Sequence, residues 1–401
     1  MRILFLSHRV PYPPNKGEKI RTYHQIKYLH EQGHILGVLS PIAESDDHRH
    51  LNKLSQLHLQ LPSSLHALSP LRLPFGLLKH QALSVANFYC SSLQKTFDEA
   101  LIQQNIDTVI CSSSAMAEYV FKSPICQGKS QHKAPKVIMD FMDLDSDKWR
   151  QYAEQKSGPM RYVYKREHTL LSRYENKVYE HFDASFFISN EEVKLFLNGR
   201  QNNGKLTAIG NGIDTEFFKP TQVREQINDP VLVFTGVMDY LPNVDAVEWF
   251  VKDIWPHIIA KHPSATFYIA GMSPNDRVKR LAHTQGVIVT GKVDDIRKYY
   301  AKADIFVAPL RLARGIQNKI LQAFACGLPV VSTPTGNEGI GAKDGEEILI
   351  GDDVTKFIEH LHGLLNDPNQ MRKLAINAEF LVVREFSWKS CLKKIDCLLK
   401  N

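Results

Sequence analysis

Apolar residues along this chain gather in short runs that show no in–out alternation. RILFLS (2–7), HILGVLS (34–40), DTVICS (107–112), KVIMDF (136–141) and ASFFIS (184–189) form one series. VLVFTG (231–236), ATFYIAG (265–271), VIVTG (287–291), ADIFVAP (303–309) and PVVST (329–333) form a second. Helical spacing of apolar positions fills many of the gaps, at 18–32, 92–104, 160–182, 244–262, 294–302, 315–326 and 354–365. Strands that are apolar on both faces and separated by helices belong to parallel sheets covered on both sides. Two such series predict an α/β fold of two doubly wound, Rossmann-like domains. Between the series, NGIDTEFFKPTQVREQINDP (211–230) is polar and turn-rich. The expected division is a first domain over 1–213, a linker over 214–230 and a second domain over 231–386. A last helix within 387–401 follows.

Composition narrows the function classes. Of 401 residues, 43% are hydrophobic and 23% charged, as in ordinary soluble globular chains. A net charge of +6 suits an anionic substrate or an anionic membrane face and is too weak to argue for nucleic acid. The six cysteines show no CxxC pair and no metal-ligand spacing; Cys111 and Cys326 lie in apolar contexts, which predicts buried thiols and suits a reducing cytoplasm. The first apolar run stops at Leu6 and meets Ser-His-Arg, too short for a signal core, so it is expected to be the first strand. No window approaches 18 consecutive apolar residues, so no spanning helix is expected.

Open parallel sheets bind ligands beyond the carboxyl ends of their strands, so the loops after strands are the places to search. SHRVPYPPNKGEKIR (7–21) leaves the first strand and enters a helix, with Lys16 and Gly17 at the helix start, where open N–H groups favour an anion. It contains neither GxGxxG nor GxxxxGK[ST], which counts against a nicotinamide or flavin enzyme and against a P-loop NTPase. In DFMDLDSDKW (140–149), Asp140 and Asp143 stand nearest the strand end, and Asp147 is a candidate helix cap. The spacing of Asp143, Asp145 and Asp147 mimics a calcium loop but lacks the glycine and closing glutamate. Asn211-Gly212 is a turn signal beside the domain boundary, open to a hinge or a ligand role. Gly236 ends a strand and a helix starts near Asn243. RLARGIQNKILQAFACGLPVV (311–331) places Arg311, Arg314 and Gly315 before a helix in which Ile316, Ile320, Leu321 and Phe324 make the buried face. Lys319 lies one turn in, on a different side. A helix start with three cations fits a diphosphate.

Taken together, these segments resemble glycosyltransferase family 4, the retaining GT-B enzymes, over nearly the whole chain. The matching pieces are the Lys16-Gly17 loop, Asn211 to Asp214, Gly236 to Asn243, Phe267 to Gly271, Gly291-Lys292-Val293, Ala303 to Pro309 and the helix into Gly327-Leu-Pro-Val-Val331. HRVPYPPNKGEKIR, DSDKWRQYA, GVMDYLPNVDAVEWF and RGIQNKILQAFA look more closely like the sugar transferases of exosortase (PEP-CTERM) exopolysaccharide systems of Gram-negative bacteria.

The resemblance implies two domains facing a central cleft, with a nucleotide-sugar donor on the second and a lipid-linked or polysaccharide acceptor on the first. The last helix would cross back to the first domain. No metal or other cofactor is implied. Lys319 would neutralise the leaving diphosphate, and Gly17 would lie near donor phosphate and acceptor. Asp143 is carried as a further candidate catalytic residue. Lys16, Asn211, Gly236, Asn243, Gly291, Lys292, Gly315, Ile316, Gln317 and Asn318 are candidate binding residues. The family places glutamates where this chain has Arg314 and Gln322. Arg314 could pair an acidic donor sugar, or Gln317 and Asn318 could take the sugar contacts instead. Gln322 can still accept one uncharged hydrogen bond from a ribose hydroxyl. The expected place is the cytoplasm, with SPLRLPFGLLKH (69–80) and the basic helix 160–182 as candidate contacts to the inner face of the inner membrane. A degenerate nucleotide-sugar binder or export scaffold, and a GT-B sugar-nucleotide epimerase, are the alternatives.

Overall fold

The computed structural model describes residues 1–69, 72–78, 80–220 and 229–400, and not the side chains at 72, 75 and 78. The middle of the expected linker, and the side chains of Arg72, Phe75 and Lys79 raised above as membrane contacts, lie outside the described residues. The chain divides into two units, Met1–Asn211 with Cys391–Asn401, and Gly212–Ser390.

The first unit holds a parallel sheet of β1 (Arg2–Ser7), β2 (Ile35–Pro41), β3 (Ser64–His66), β4 (Thr108–Ser112), β5 (Lys136–Met142), β6 (Ala184–Phe187) and β7 (Leu206–Ala208). Their order is β3-β2-β1-β4-β5-β6-β7. The second holds β8 (Val231–Thr235), β9 (Thr266–Ala270), β10 (Val287–Gly291), β11 (Ile305–Ala308), β12 (Val330–Ser332) and β13 (Leu349–Ile350), in the order β10-β9-β8-β11-β12-β13. All pairings between these strands are parallel.

Burial explains the unbroken apolar runs. On β8 and β11, Leu232, Phe234, Ile305 and Val307 enter one core cluster. Their neighbours Val233, Phe306 and Ala308 enter another. Successive side chains point to opposite faces, and helices cover both, so every position is apolar. In each sheet the strand order reverses direction beside the first strand of the series, between β1 and β4 and between β8 and β11. A crevice opens there beyond the strand ends.

Several helix ends differ from the expected ones. The helix after β1 spans Gly17–Glu31, and the one after β11 is only Asn318–Ala325. Ile316 therefore lies outside that helix and is 46% exposed rather than part of its buried face. Asp147 is not a cap: the helix Asp145–Gln155 is preceded by Leu144, and Asp147 pairs within it with Arg150 at 2.7 Å. All six cysteines are free, but only Cys90, Cys111 and Cys326 are buried, and Cys397 is exposed. The last helix, Trp388–Lys400, ties its end to the first unit: Tyr28 donates to Asp396 at 2.7 Å and Lys394 to the Ala208 carbonyl at 3.2 Å. Among the described residues no helix is long and apolar enough to cross a membrane.

Candidate functional site

Both crevices are occupied by pockets. In the second unit the loops after β8 and β11 enclose about 580 Å³, lined by residues that include Gly236, Asn243, Arg314, Gln317 and Lys319. Lys319 is the second residue of the helix Asn318–Ala325. Its partners on that helix, Ile320, Leu321 and Phe324, are buried, which fixes the helix and leaves the lysine on the side of the pocket. Its ammonium donates to Asn243 Oδ1 and lies 4.4 Å from the centre of the Phe234 ring. Asn243 is itself held by a bond from Nδ2 to the Val237 carbonyl at 2.9 Å. Among the described residues no carboxylate lies within ion-pair distance of Lys319. Burial without a countercharge brings its pKa down to about 7.

The glycines here make room for backbone and cation. A Cβ on Gly236 would stand 2.6 Å from Asn243 Nδ2 and 3.2 Å from Lys319 Nζ. One on Gly271 would stand 1.7 Å from the Gly236 carbonyl oxygen, at a φ of +150° that side chains avoid. The first N–H groups of the Asn318–Ala325 helix are left open by helix geometry.

The other expected residues of this region fall in different places. Gly315 has φ +65° and its carbonyl carbon would be 2.3 Å from a Cβ on Gly339, so it is a tight turn before the helix. Gln317 precedes the helix and folds back, donating from Nε2 to the Arg314 and Gly315 carbonyls at 3.1 and 3.2 Å. Ile316 and Asn318 do not line the pocket. Gln322 also lies outside its lining and accepts from the Tyr300 hydroxyl at 3.1 Å. Gly291 ends β10 and Lys292 follows it; neither is among the lining residues. Arg311 lines the pocket but is not a free cation: its Nε donates to Asp245 at 3.0 Å and the guanidinium sits 5.3 Å from the Trp249 ring centre.

In the first unit the loops after β1, β4 and β5 surround a larger cavity of about 780 Å³, to which Gly17, Asp143 and Asn211 contribute. A Cβ on Gly17 would meet nothing within 4 Å, so packing does not demand glycine there. Lys16 does not reach this cavity; it pairs with Glu44 at 2.8 Å. Together with Lys19 it holds the Glu44 carboxyl down to about 2. Asp143 is bridged to Asp145 by Lys148, at 2.9 and 3.1 Å, so a lysine takes the place that the calcium-loop spacing suggested for a metal. Beneath the cavity runs a buried pair that sequence reading missed. Arg21 Nε donates to both oxygens of Asp140, at 2.8 and 3.1 Å, and Nη1 donates to Asn211 Oδ1 at 2.7 Å. Gln25 adds a bond to Asp140 at 2.6 Å. Its only sequence signal was the unusual run of polar residues inside a helix that packs on a sheet.

Residues 229–367 match the family model for glycosyl transferases group 1. The chain is 21% identical, over 98% of itself and 98% of the relative, to an uncharacterized 44.6 kDa protein in the cps region of Klebsiella pneumoniae. It is 24% identical, over 56% of itself, to the GDP-mannose-dependent monoacylated alpha-(1-6)-phosphatidylinositol monomannoside mannosyltransferase of Corynebacterium glutamicum, spanning 64% of that enzyme. Its fold superposes with a TM-score of 0.62 on Anabaena HepE in complex with UDP, at 15% identity and over the full length of both chains. The fold is thus that of the GT-B glycosyltransferases, two parallel-sheet Rossmann-like domains. Within that fold, the segment 229–367 is the part that resembles glycosyl transferases group 1.

Proposed function

We propose that this chain transfers a sugar from a nucleoside-diphosphate donor, bound by the second unit, to a lipid-linked or polysaccharide acceptor bound by the first. The observation that carries the donor assignment is Lys319. It is a partly buried ammonium with an amide and a ring as its company, set beside Gly236 at the switch point of the sheet. Such a cation lacks only a countercharge. A nucleoside diphosphate supplies one, and the open helix N–H groups add to it.

As the sugar–phosphate bond breaks, charge grows on the departing oxygen, and a fixed cation stabilises that state more than the ground state. In the proposed course the acceptor hydroxyl attacks the anomeric carbon. The sugar–phosphate bond breaks, and the proton passes to the departing phosphate oxygen on the same face, with retention. No metal is assigned a role. Support for a surface-polysaccharide setting comes from the cps-region relative and from the four segments that look like exosortase-system transferases. The lipid-acceptor mannosyltransferase relative supports a carrier at a membrane. So do the exposed Met160, Tyr162 and Val163 beside Arg161 and Lys165.

A second reading, binding without transfer, draws on Arg314 and on Gln322 being turned to Tyr300 rather than lining the pocket. Calorimetric titration with UDP and with GDP tests the donor assignment. One of them is expected to bind, and Lys319→Met to weaken it about 100-fold. Equal binding by wild type and variant would remove the assignment. Binding with no transfer from any nucleotide sugar would favour the second reading.

A further inference from the structure

The cavity of the first unit carries a chemical signature of its own. One wall is aromatic: Trp149 packs at 5.8 Å on Tyr152 and at 5.4 Å on Tyr164, centre to centre. The indole N–H donates to Ser84 Oγ at 3.2 Å, and that hydroxyl donates onward to Glu167 at 2.7 Å. Glu167 is buried and also takes the N–H groups of Leu83 and Ser84, at 2.9 and 2.6 Å. The indole is thus held by its edge, while Trp149 and the half-exposed Tyr152 both line the cavity.

The polar lining offers hydrogen bonds of both senses. Arg21, 1% exposed, also lines the cavity, and its Nη2 has no partner among the described residues. An unpaired buried donor of this kind is unfavourable until something accepts from it. His8 donates from Nδ1 to the Ser112 carbonyl at 3.1 Å, which leaves the Nε2 lone pair as an acceptor. Burial lowers the His8 pKa and keeps that ring neutral. Asp143 and Asp145 add carboxylate acceptors.

Charge then decides the ligand class. The cations on this cavity are Arg9, Arg21 and Lys148, and the carboxylates are Glu18, Asp143 and Asp145. Each cation is already engaged: Arg9 stands 3.7 Å from Glu18, Arg21 2.8 Å from Asp140 and Lys148 2.9 Å from Asp143. Cations and carboxylates on the lining are equal in number and paired with one another or with Asp140, so a negative group entering here would meet three carboxylates and, as an open cationic donor, the Nη2 of Arg21. An aromatic wall with mixed donors and acceptors and no net positive charge on the lining matches an uncharged hydroxyl-rich ring.

We propose that this cavity binds the terminal sugar of the acceptor as a neutral pyranose. Its C–H face rests on the Trp149 ring with Tyr152, which stands at 83° to the indole, against its edge, and its oxygens meet Arg21, His8 and the Asp143–Asp145 pair. The inference rests on the glycosyltransferase reading and narrows its acceptor to chains ending in an uncharged sugar.

The test uses the full chain without nucleotide, titrated with methyl α-glucopyranoside, methyl α-mannopyranoside and methyl α-glucopyranosiduronate, followed by saturation-transfer NMR and tryptophan fluorescence. A neutral glycoside is expected to saturate and the uronate to bind at least about 10-fold more weakly. Trp149→Ala should lose about 10-fold and Trp149→Phe should recover most of it. Tyr152→Ala, at an exposed ring, guards against misfolding and should lose about 3-fold. Uronate binding as tight as glucoside binding would overturn the inference. So would unchanged binding in both alanine variants, or no saturable binding of any glycoside. UDP and GDP titrated into the same samples separate the two claims. Nucleotide binding without glycoside binding sinks only this inference. Glycoside binding without nucleotide binding sinks the donor assignment and leaves the sugar cavity standing.

Discussion

Binding of a diphosphate to the second unit should take up a proton, and Lys319 is the reason. Burial has lowered its pKa to about 7, so near pH 8 only about one lysine in ten is charged. A bound diphosphate restores the charged form and raises that pKa well above the working range. The free site must then gain about 0.9 proton per nucleotide at pH 8 and about 0.5 at pH 7. The sign follows directly. Well below pH 7 the ammonium is present and affinity is nearly flat. Above it, each pH unit removes about 1.4 kcal/mol, or tenfold, until the bound-state pKa is passed. The other charges lining this pocket are the guanidiniums Arg311 and Arg314, the former paired with Asp245. Calorimetry at pH 8 in two buffers of different ionisation enthalpy measures the uptake from the slope of heat against buffer enthalpy. Lys319→Met should abolish it and flatten the affinity between pH 7 and 9. Uptake below about 0.2 proton in the wild type, with affinity constant across that range, would refute the reasoning.

Other variants probe separate parts of the account. Arg314 lines the pocket of the second unit and is exposed, so if that pocket takes the donor a preference for UDP-glucuronate over UDP-glucose of about 3- to 10-fold is expected, lost in Arg314→Ala; equal affinities in the wild type would remove any role in reading an acidic sugar. Asp140→Ala strands the buried Arg21 charge and should cost about 3–5 kcal/mol in urea unfolding; a loss under about 1 would mean the pair is not closed in solution. Glu175 is buried with one oxygen accepting from Ser146 N–H at 3.1 Å and the other without a partner among the described residues, and burial pushes its pKa up to about 8. Its folded pKa exceeds its unfolded one, so this contribution to stability is complete below about pH 4 and is lost as pH rises towards 8. Glu175→Gln should therefore lose less stability than wild type between pH 5 and 8, and parallel stability curves would contradict this.

The sheet strands with continuous apolar runs were legible because both faces of a parallel sheet are covered, and β1, β4, β5, β8 and β11 appear within a residue or two of their expected ends. The edge strands β3, β7 and β13 were not. SLH, LTA and LI are too short to carry a period, and their residues are partly exposed. That Lys319, Asn243 and Gly236 share one pocket was legible from their positions in or just after loops that follow strands. Ile316 was misplaced because helical spacing was carried back through Gln317, whose extended backbone (φ −91°, ψ 93°) precedes the helix start at Asn318. Arg311 read as a free cation because its partner, Asp245, comes from a helix far away in sequence. In the first unit, Asp143 and Gly17 could be named, but the Arg21–Asp140 pair could not: contacts between residues 119 positions apart leave no local pattern. The same holds for the hydrogen-bond chain from Glu167 through Ser84 to Trp149.

The central claim is that Lys319 stabilises a departing nucleoside diphosphate during sugar transfer. The most direct measurement is release of UDP or GDP from a panel of nucleotide sugars, in the presence of a lipid extract as acceptor source, by wild type and by Lys319→Met. The account predicts acceptor-dependent release from at least one donor by the wild type, slowed about 10²–10³-fold in the variant. Release at the same rate by both proteins would contradict it.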